Sequence, residues 1–283
     1  MKKMAVALLI VTLIGTPVFA QSFNIDVGPI GTAPSSSYAA AGLPGVWNSI
    51  PLEHVTPFTT GPHPSDYMLV DLDGNPTNVG CHNFGGTDVI VANNPSLTGD
   101  DATMMNDYLV TYTPNLESCI YINGLEPGTY EVLTYAWMPS DSGILQRVRF
   151  DFDAVNIPLV GGNWPGQHEE GVTYSRHIVE VTSSGIMTFM GLHVGIAPGG
   201  NVAVGAALNG FQIRPLPPLM LGDLNCDGDI DGSDVDDFVL ALIDPDGYEA
   251  ANPTCDVNTA DMNGDTRVNV SDIRDFVETL LSS

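Results

Sequence analysis

Near the C-terminal end, oxygen-bearing side chains recur at a fixed spacing, and the spacing occurs twice. The first set is Asp223, Asn225, Asp227, Asp229, Asp231 and Asp234. The second is Asp261, Asn263, Asp265, Asn269 and Asp272, 38 residues further on, with Arg267 in the place of Asp229. Oxygen side chains fall at positions 1, 3, 5, 9 and 12 of each twelve-residue stretch, with Ile230 or Val268 at position 8. A hard cation needs about six to eight oxygens converging from one short segment, and a loop coiled around the ion supplies them. The chemistry expected is calcium binding, with two ions held by two loops.

The elements that position these loops follow each of them. Val235, Phe238, Val239 and Leu242 fall at helical spacing, and so do Ile273, Phe276, Val277 and Leu280. Helices this short are unstable alone, so the two are expected to pack face to face and bury both stripes. The connection 244–253, with Pro245, Gly247 and Pro253, reads as a loop or short turn. The residues ahead of both loops are rich in proline or in small polar residues, so no long helix can enter either one.

An EF-hand has an entering helix and a bidentate Glu at position 12; here that helix is absent and position 12 is Asp. A duplicated loop with an exiting helix and Asp at position 12 resembles the type I dockerin module, over about residues 222–281. With Cys226 inside the first loop and Cys255 ahead of the second, it looks like the variant common in planctomycete exported proteins. The resemblance implies a small all-α module, two calcium ions and docking to a cohesin-type protein domain. It implies side-chain ligation by Asp223, Asn225, Asp227 and Asp234, with Asp229 through its carbonyl and Asp231 directly or through water. In the second loop the matching ligands are Asp261, Asn263, Asp265 and Asp272, with Arg267 by its carbonyl and Asn269 through water. Two departures stand out. Position 6, glycine in the family, is Gly228 in the first loop but Thr266 in the second, which predicts a weaker second site. Positions 10 and 11 are Gly232, Ser233, Val270 and Ser271, not the usual Ser-Thr pair, which leaves the partner type open.

The chain of 283 residues opens on Lys2 and Lys3, an apolar run and a small-residue site ending at Ala20. This reads as a signal peptide over 1–20, and the protein as secreted, extracellular or at the cell surface. No later run is long and apolar enough to insert the mature chain in a membrane. The formal net charge is −26 and the only two lysines lie in the leader, which excludes nucleic acid as a partner. Four cysteines in an exported chain suggest disulfides, and Cys81–Cys119 and Cys226–Cys255 each fall within one proposed domain.

Residues 21–214 read as β-structure, with candidate strands at 66–72, 88–92, 108–113, 119–122, 130–137, 146–152, 172–181, 186–192 and 202–214. Val148, Phe150 and Phe152 alternate with Arg147, Arg149, Asp151 and Asp153, so one set enters a core and the other faces outward. The stretch 130–137 is apolar on both faces, as a central strand would be. Prolines 215, 217 and 218 then form a stiff spacer over 215–221, ahead of the module at 222–283. The fold class expected is mainly β, a jelly-roll-type sandwich followed by the small calcium module. The turn at 122–132 and the closing segment 207–214 resemble the galactose-binding-like jelly rolls of carbohydrate-binding domains.

Binding a polysaccharide or glycan needs flat aromatic faces and polar groups for hydroxyls. Trp164 lies in a polar, glycine-rich loop with Asn163, Gln167 and His168, and these four are the candidate ligand residues. Trp137 ends a central strand and reads as core, and Trp47 as part of an N-terminal strand. Catalysis has little support: there is no Gly-x-Ser-x-Gly or His-Glu-x-x-His, and no two histidines show metal-ligand spacing. Asp151 and Asp153 stand about 7 Å apart on one strand face, which by itself leaves a glycosidase role open. The reading is a non-catalytic carbohydrate-binding protein. A polysaccharide-degrading hydrolase or lyase and a structural adhesion protein are its rivals.

Overall fold

The structure, a computed structural model, describes residues 21–51, 64, 66–83, 88–111, 118–140, 143–150, 157–181, 189–196, 206–216, 220–252, 255–265 and 267–282. The expected leader, Asp151, Asp153, Thr266 and residues 217–219 of the proline spacer lie outside them.

The strands in chain order are β1 (Phe23–Val27), β2 (Trp47–Ile50), β3 (Tyr67–Val70), β4 (Pro76–Asn83), β5 (Asp88–Val91), β6 (Asp107–Thr111) and β7 (Ser118–Asn123). They continue with β8 (Gly128–Tyr135), β9 (Gln146–Phe150), β10 (Leu159–Val160), β11 (Tyr174–Val181), β12 (Phe189–Ile196), β13 (Ala206–Leu208) and β14 (Gly210–Pro215). The helices are α1 (Gly99–Met105), α2 (Asp234–Ile243), α3 (Pro245–Ala251) and α4 (Ile273–Leu280). The protein is mainly β, with few helices.

Among the described residues the strands form three sheets. The first runs β11-β8-β14-β1-β2 and the second β10-β9-β12-β7-β4-β3. Pairing is antiparallel throughout both, except that β1 and β2 run parallel. One core joins the two: Phe23, Ile25, Val132, Phe211 and Ile213 of the first sheet cluster with Val79, Ile120, Ile122, Val148 and Phe150 of the second. That is a two-layer β-sandwich. The alternation at β9 works as the period of two requires, with Val148 and Phe150 in the core. A short third sheet, β13-β6-β5, adds to it.

β8 is buried over most of its length, as its two apolar faces predict. Tyr130 and Val132 face the core. Leu133 and Tyr135 face the opposite side and join Trp47, Trp137, Met104 and Met105 in a second cluster. The outer face of the first sheet is therefore covered, by the segment 33–41, α1 and the Trp164 loop. Gln212 on β14 ties that cover down: its Oε1 accepts from Tyr135 Oη at 2.5 Å, and its Nε2 donates to Asn24 Oδ1 at 2.7 Å and to Leu43 O at 3.1 Å.

Four expectations change. The described part of the stretch expected as one strand over 202–214 is two strands, β13 and β14, divided at Asn209, whose Oδ1 accepts from Trp137 N and whose Nδ2 donates to Met105 O. The connection 244–253 contains a helix, α3, with Pro245 at its first turn and Asp244 Oδ1 accepting from Gly247 N. Proline is favourable there because that N–H has no helical partner. Cys81 is a buried free thiol, not half of a bridge to Cys119. The β4–β7 register opposes Cys81 to Ile122, three positions along β7 from Cys119, beyond disulfide reach. The Cys226–Cys255 bridge is present.

The helix stripes also rotate. Phe238 and Phe276 stack at 3.9 Å between centroids, and Leu242 and Leu280 pack beside them. Val235, Val239, Ile273 and Val277 remain exposed. Leu224, Tyr248 and Ala260, from the first loop, α3 and the turn ahead of the second loop, fill the space those residues were expected to fill.

Candidate functional site

The two acidic loops have matching internal geometry. Asp234, at position 12, is fully buried although ionisable. Its Oδ1 accepts from Leu224 N at 2.7 Å and Asn225 N at 3.2 Å, and its Oδ2 accepts from Asp231 N at 2.8 Å. Asp272 is equally buried and accepts from the equivalent amides, Asn263 N at 3.1 Å and Asn269 N at 2.9 Å. In both loops the last carboxylate gathers positions 3 and 9 across the coil.

Position 1 gathers the middle. Asp223 Oδ1 accepts from Asp227 N at 3.2 Å and its Oδ2 from Gly228 N at 3.0 Å; Asp261 Oδ1 accepts from Asp265 N at 3.1 Å. Asn225 Oδ1 and Asn263 Oδ1 each accept the position-5 amide at 2.9 Å. Asp227 Oδ1 accepts from Asp229 N, and Asp265 Oδ1 from Arg267 N, both at 3.0 Å. Asp231 Oδ1 takes the N–H and hydroxyl of Ser233, and these bonds hold its exposed carboxyl below the usual range. Asn269 Oδ1 accepts from Ser271 N at 3.0 Å.

Among the described residues no three carboxylate, imidazole or thiol side chains already close on one point as a metal cage. The donor chemistry nonetheless suits a hard cation. Burial first, then the charges of Asp234 and Asp227, push the Asp223 carboxyl up, against the amides of Gly228 and Asp227 that pull it down. Like charges drawn together by one short loop repel, and a divalent cation relieves that repulsion. The residues that would hold it are those the loop spacing selects.

The Trp164 loop has a different character. Trp164 is half-buried, with its centroid 5.9 Å from that of Trp137. Asn163 and Gln167 lie exposed beside it. His168, expected to face a ligand, is turned into the fold, with its side chain 4% exposed. Its Nε2 lies 2.6 Å from Tyr38 Oη, its Nδ1 lies 3.3 Å from Thr173 Oγ1, and Trp164 meets it edge-on. Tyr38 Oη in turn donates to Asp101 Oδ1 at 2.6 Å. Burial holds the imidazole down at about 4, only partly offset by the Asp101 charge. His168 thus anchors the loop; Trp164 packs half-buried against Trp137 and the cluster around it, while Asn163 and Gln167 stay exposed.

Trp137 is core, 1% exposed, and its indole donates to Gly162 O at 2.8 Å. Trp47 is buried in β2 and donates to Tyr38 O. Tyr38 and Asp101, which complete the anchor, went unrecognised because neither sits in a periodic segment. Asp26 was missed as well. It is fully buried beside Asp107, and burial, then the Asp107 charge, raises its carboxyl well above the usual range. On the outer face of β8, Glu131 receives Arg176 Nε at 2.6 Å and pairs with Arg214. Arg147 and Arg149 occupy the half-buried outward positions of β9. Among the described residues no helix is long and apolar enough to cross a membrane.

No protein-family model matches the chain, and no curated protein does. Solved structures with some likeness include a Bacteroides uniformis beta-glucuronidase, at 12% identity and TM-score 0.33, covering 69% of this chain and 18% of that one. The plant receptor-like kinase ANX2 gives 12% identity and TM-score 0.38, covering 69% of this chain and 47% of that one. TmCBM61, solved with beta-1,4-galactotriose, gives 11% identity and TM-score 0.26, covering 48% of this chain and 88% of that one. The chain thus spans less than half the length of the first two, and the sandwich described above rests on its own strand pairing.

Proposed function

We propose that this chain is a secreted, non-catalytic attachment protein. Its β-sandwich binds a polysaccharide or glycan, and its duplicated C-terminal loops bind two calcium ions and dock to a cohesin-type partner. The observation that carries the calcium reading is the matched pair of buried carboxylates, Asp234 and Asp272, each collecting the amides of positions 3 and 9. A loop already coiled in this way needs little rearrangement to turn its oxygens onto a cation. When bound, calcium supplies the positive charge that lets these carboxylates stay together. Asp223, Asn225, Asp227 and Asp234 hold one ion, with Asp229 and Asp231 completing the shell. Asp261, Asn263, Asp265 and Asp272 hold the other, with Arg267 and Asn269. The signal peptide at 1–20, the sandwich over 21–214, the spacer at 215–221 and the module at 222–283 form the proposed order.

The exposed Val235, Val239, Ile273 and Val277 support docking, since apolar side chains at matching helix positions in both repeats suit a protein partner. The glycan reading rests on Trp164, a half-buried ring presented beside the amides of Asn163 and Gln167.

Calcium titration of the chain, followed by far-ultraviolet circular dichroism, tests the first part. Helical signal should rise with calcium and fall with chelator; a signal indifferent to both refutes it. A glycan panel tests the second part. Binding that Trp164→Ala abolishes supports it, and binding untouched by that change refutes the assigned surface. Release of reducing ends from a polysaccharide would overturn the non-catalytic assignment.

A further inference from the structure

The Cys226–Cys255 bridge enters the first loop itself. Cys226 is loop position 4, and its φ is 57°. Gly264 holds position 4 of the second loop, with φ 70°. Both loops therefore need a left-handed residue at this point. The second uses glycine, for which that conformation is free of a side-chain clash. The first uses a residue with a β-carbon, which disfavours the conformation by about tenfold or more. Among the described residues only Ala40 shares this oddity outside glycine.

The left-handed turn aims the next two amides of the loop. Directly after Cys226, the Asp227 amide points to Asp223 Oδ1 and Asn225 Oδ1, and the Gly228 amide to Asp223 Oδ2. If residue 226 relaxed to an ordinary conformation, the oxygens at positions 1 and 3 would lose their shared orientation. The other end of the bridge is well fixed. Cys255 stands 5.9 Å away between α-carbons, donates its amide to Asn252 O at 3.0 Å, and packs with the core around Phe238 and Phe276.

We propose that the Cys226–Cys255 bridge is the positioning device of the first cation loop. It holds residue 226 left-handed and thereby sets that loop's calcium affinity, so the first site weakens on reduction and the second does not. A dithiol reductant, itself oxidised to a disulfide, converts the bridge to two thiols and frees residue 226 to relax. This rests on the calcium reading above, and the experiment separates the two.

The full chain, labelled with 15N, is titrated with calcium while the Gly228 and Gly264 amides report the first and second loops. In Cys226→Ser/Cys255→Ser the Gly228 midpoint should move about tenfold to higher calcium, with Gly264 within about twofold of its starting value. In Cys226→Gly/Cys255→Ala, glycine supplies the turn without a bridge, and the Gly228 midpoint should return to within about threefold of the oxidised protein. A Gly228 midpoint unmoved by the serine pair overturns the proposal. So does a glycine pair no better than the serine pair, because the bridge would then act only as a general tether. Amides of the oxidised protein indifferent to calcium refute the calcium reading itself, and the proposal with it.

Discussion

Acidification from pH 7 to pH 5 should loosen the sandwich through one side chain, His168. In the unfolded chain its imidazole takes up a proton near the ordinary value of 6.5, and in the folded protein only at about 4. Between those values the unfolded state binds more protons. The contribution is therefore fully present above about pH 6.5 and is lost as pH falls toward 4. At pH 5 the loss works out at about 2 kcal/mol. Its physical cause is burial among the rings of Tyr38, Tyr135 and Trp164, with Asp101 too exposed to compensate a full charge. The assay is urea unfolding at both pH values, read by tryptophan fluorescence. The chain's three tryptophans, Trp47, Trp137 and Trp164, all pack in this one cluster, so the signal reports the region concerned. His168→Gln is the reference, since it can still donate to Tyr38 but cannot titrate. The wild type should lose about 2 kcal/mol more than the variant over this interval. Equal losses, within about 0.5 kcal/mol, would refute the assignment of the effect to His168.

Replacing Gln212 by Leu leaves the Tyr135 O–H without its acceptor and Asn24 Oδ1 without its donor in a buried layer, and should cost about 2–4 kcal/mol in urea unfolding. Phe276→Ala removes one ring of the stacked pair joining the two repeats and should cost the C-terminal module about 3–5 kcal/mol, seen as a lower melting temperature in circular dichroism at 222 nm with calcium present. Asp272→Asn sets an amide donor against the Asn263 or Asn269 N–H, and should raise the calcium midpoint of the helical signal by about tenfold or more. Cys81 should resist thiol reagents until the protein is unfolded, because burial pushes its thiol up and encloses it. A non-reducing peptide map should show Cys226 joined to Cys255 and Cys81 unlinked.

The acidic loops could be read from the residues alone because every group concerned lies within twelve positions, and the spacing itself brings the oxygens together. The alternating strands are similarly local: β9 and β8 show their faces in their own periodicity. The anchor of the Trp164 loop is the opposite case. It joins Tyr38 to His168 across 130 positions and to Asp101 across 63, and no local pattern marks any of the three as partners. The same distance hides Gln212, whose partners Asn24 and Tyr135 lie 188 and 77 positions away. Helix α1, at seven residues, is too short to display a period.

What the residues by themselves determined is the oxygen-rich spacing of the two loops, the β character of the larger part, and the core faces of its regular strands. Tertiary structure alone decided three things. It turned His168 inward, because a neutral imidazole could satisfy Tyr38 and Thr173 where a ligand-facing one would not. It left Val235, Val239, Ile273 and Val277 at the surface, because Leu224, Tyr248 and Ala260 took their place around the stacked phenylalanines. It also left Cys81 unbridged, because strand register, which no single strand encodes, opposes it to Ile122.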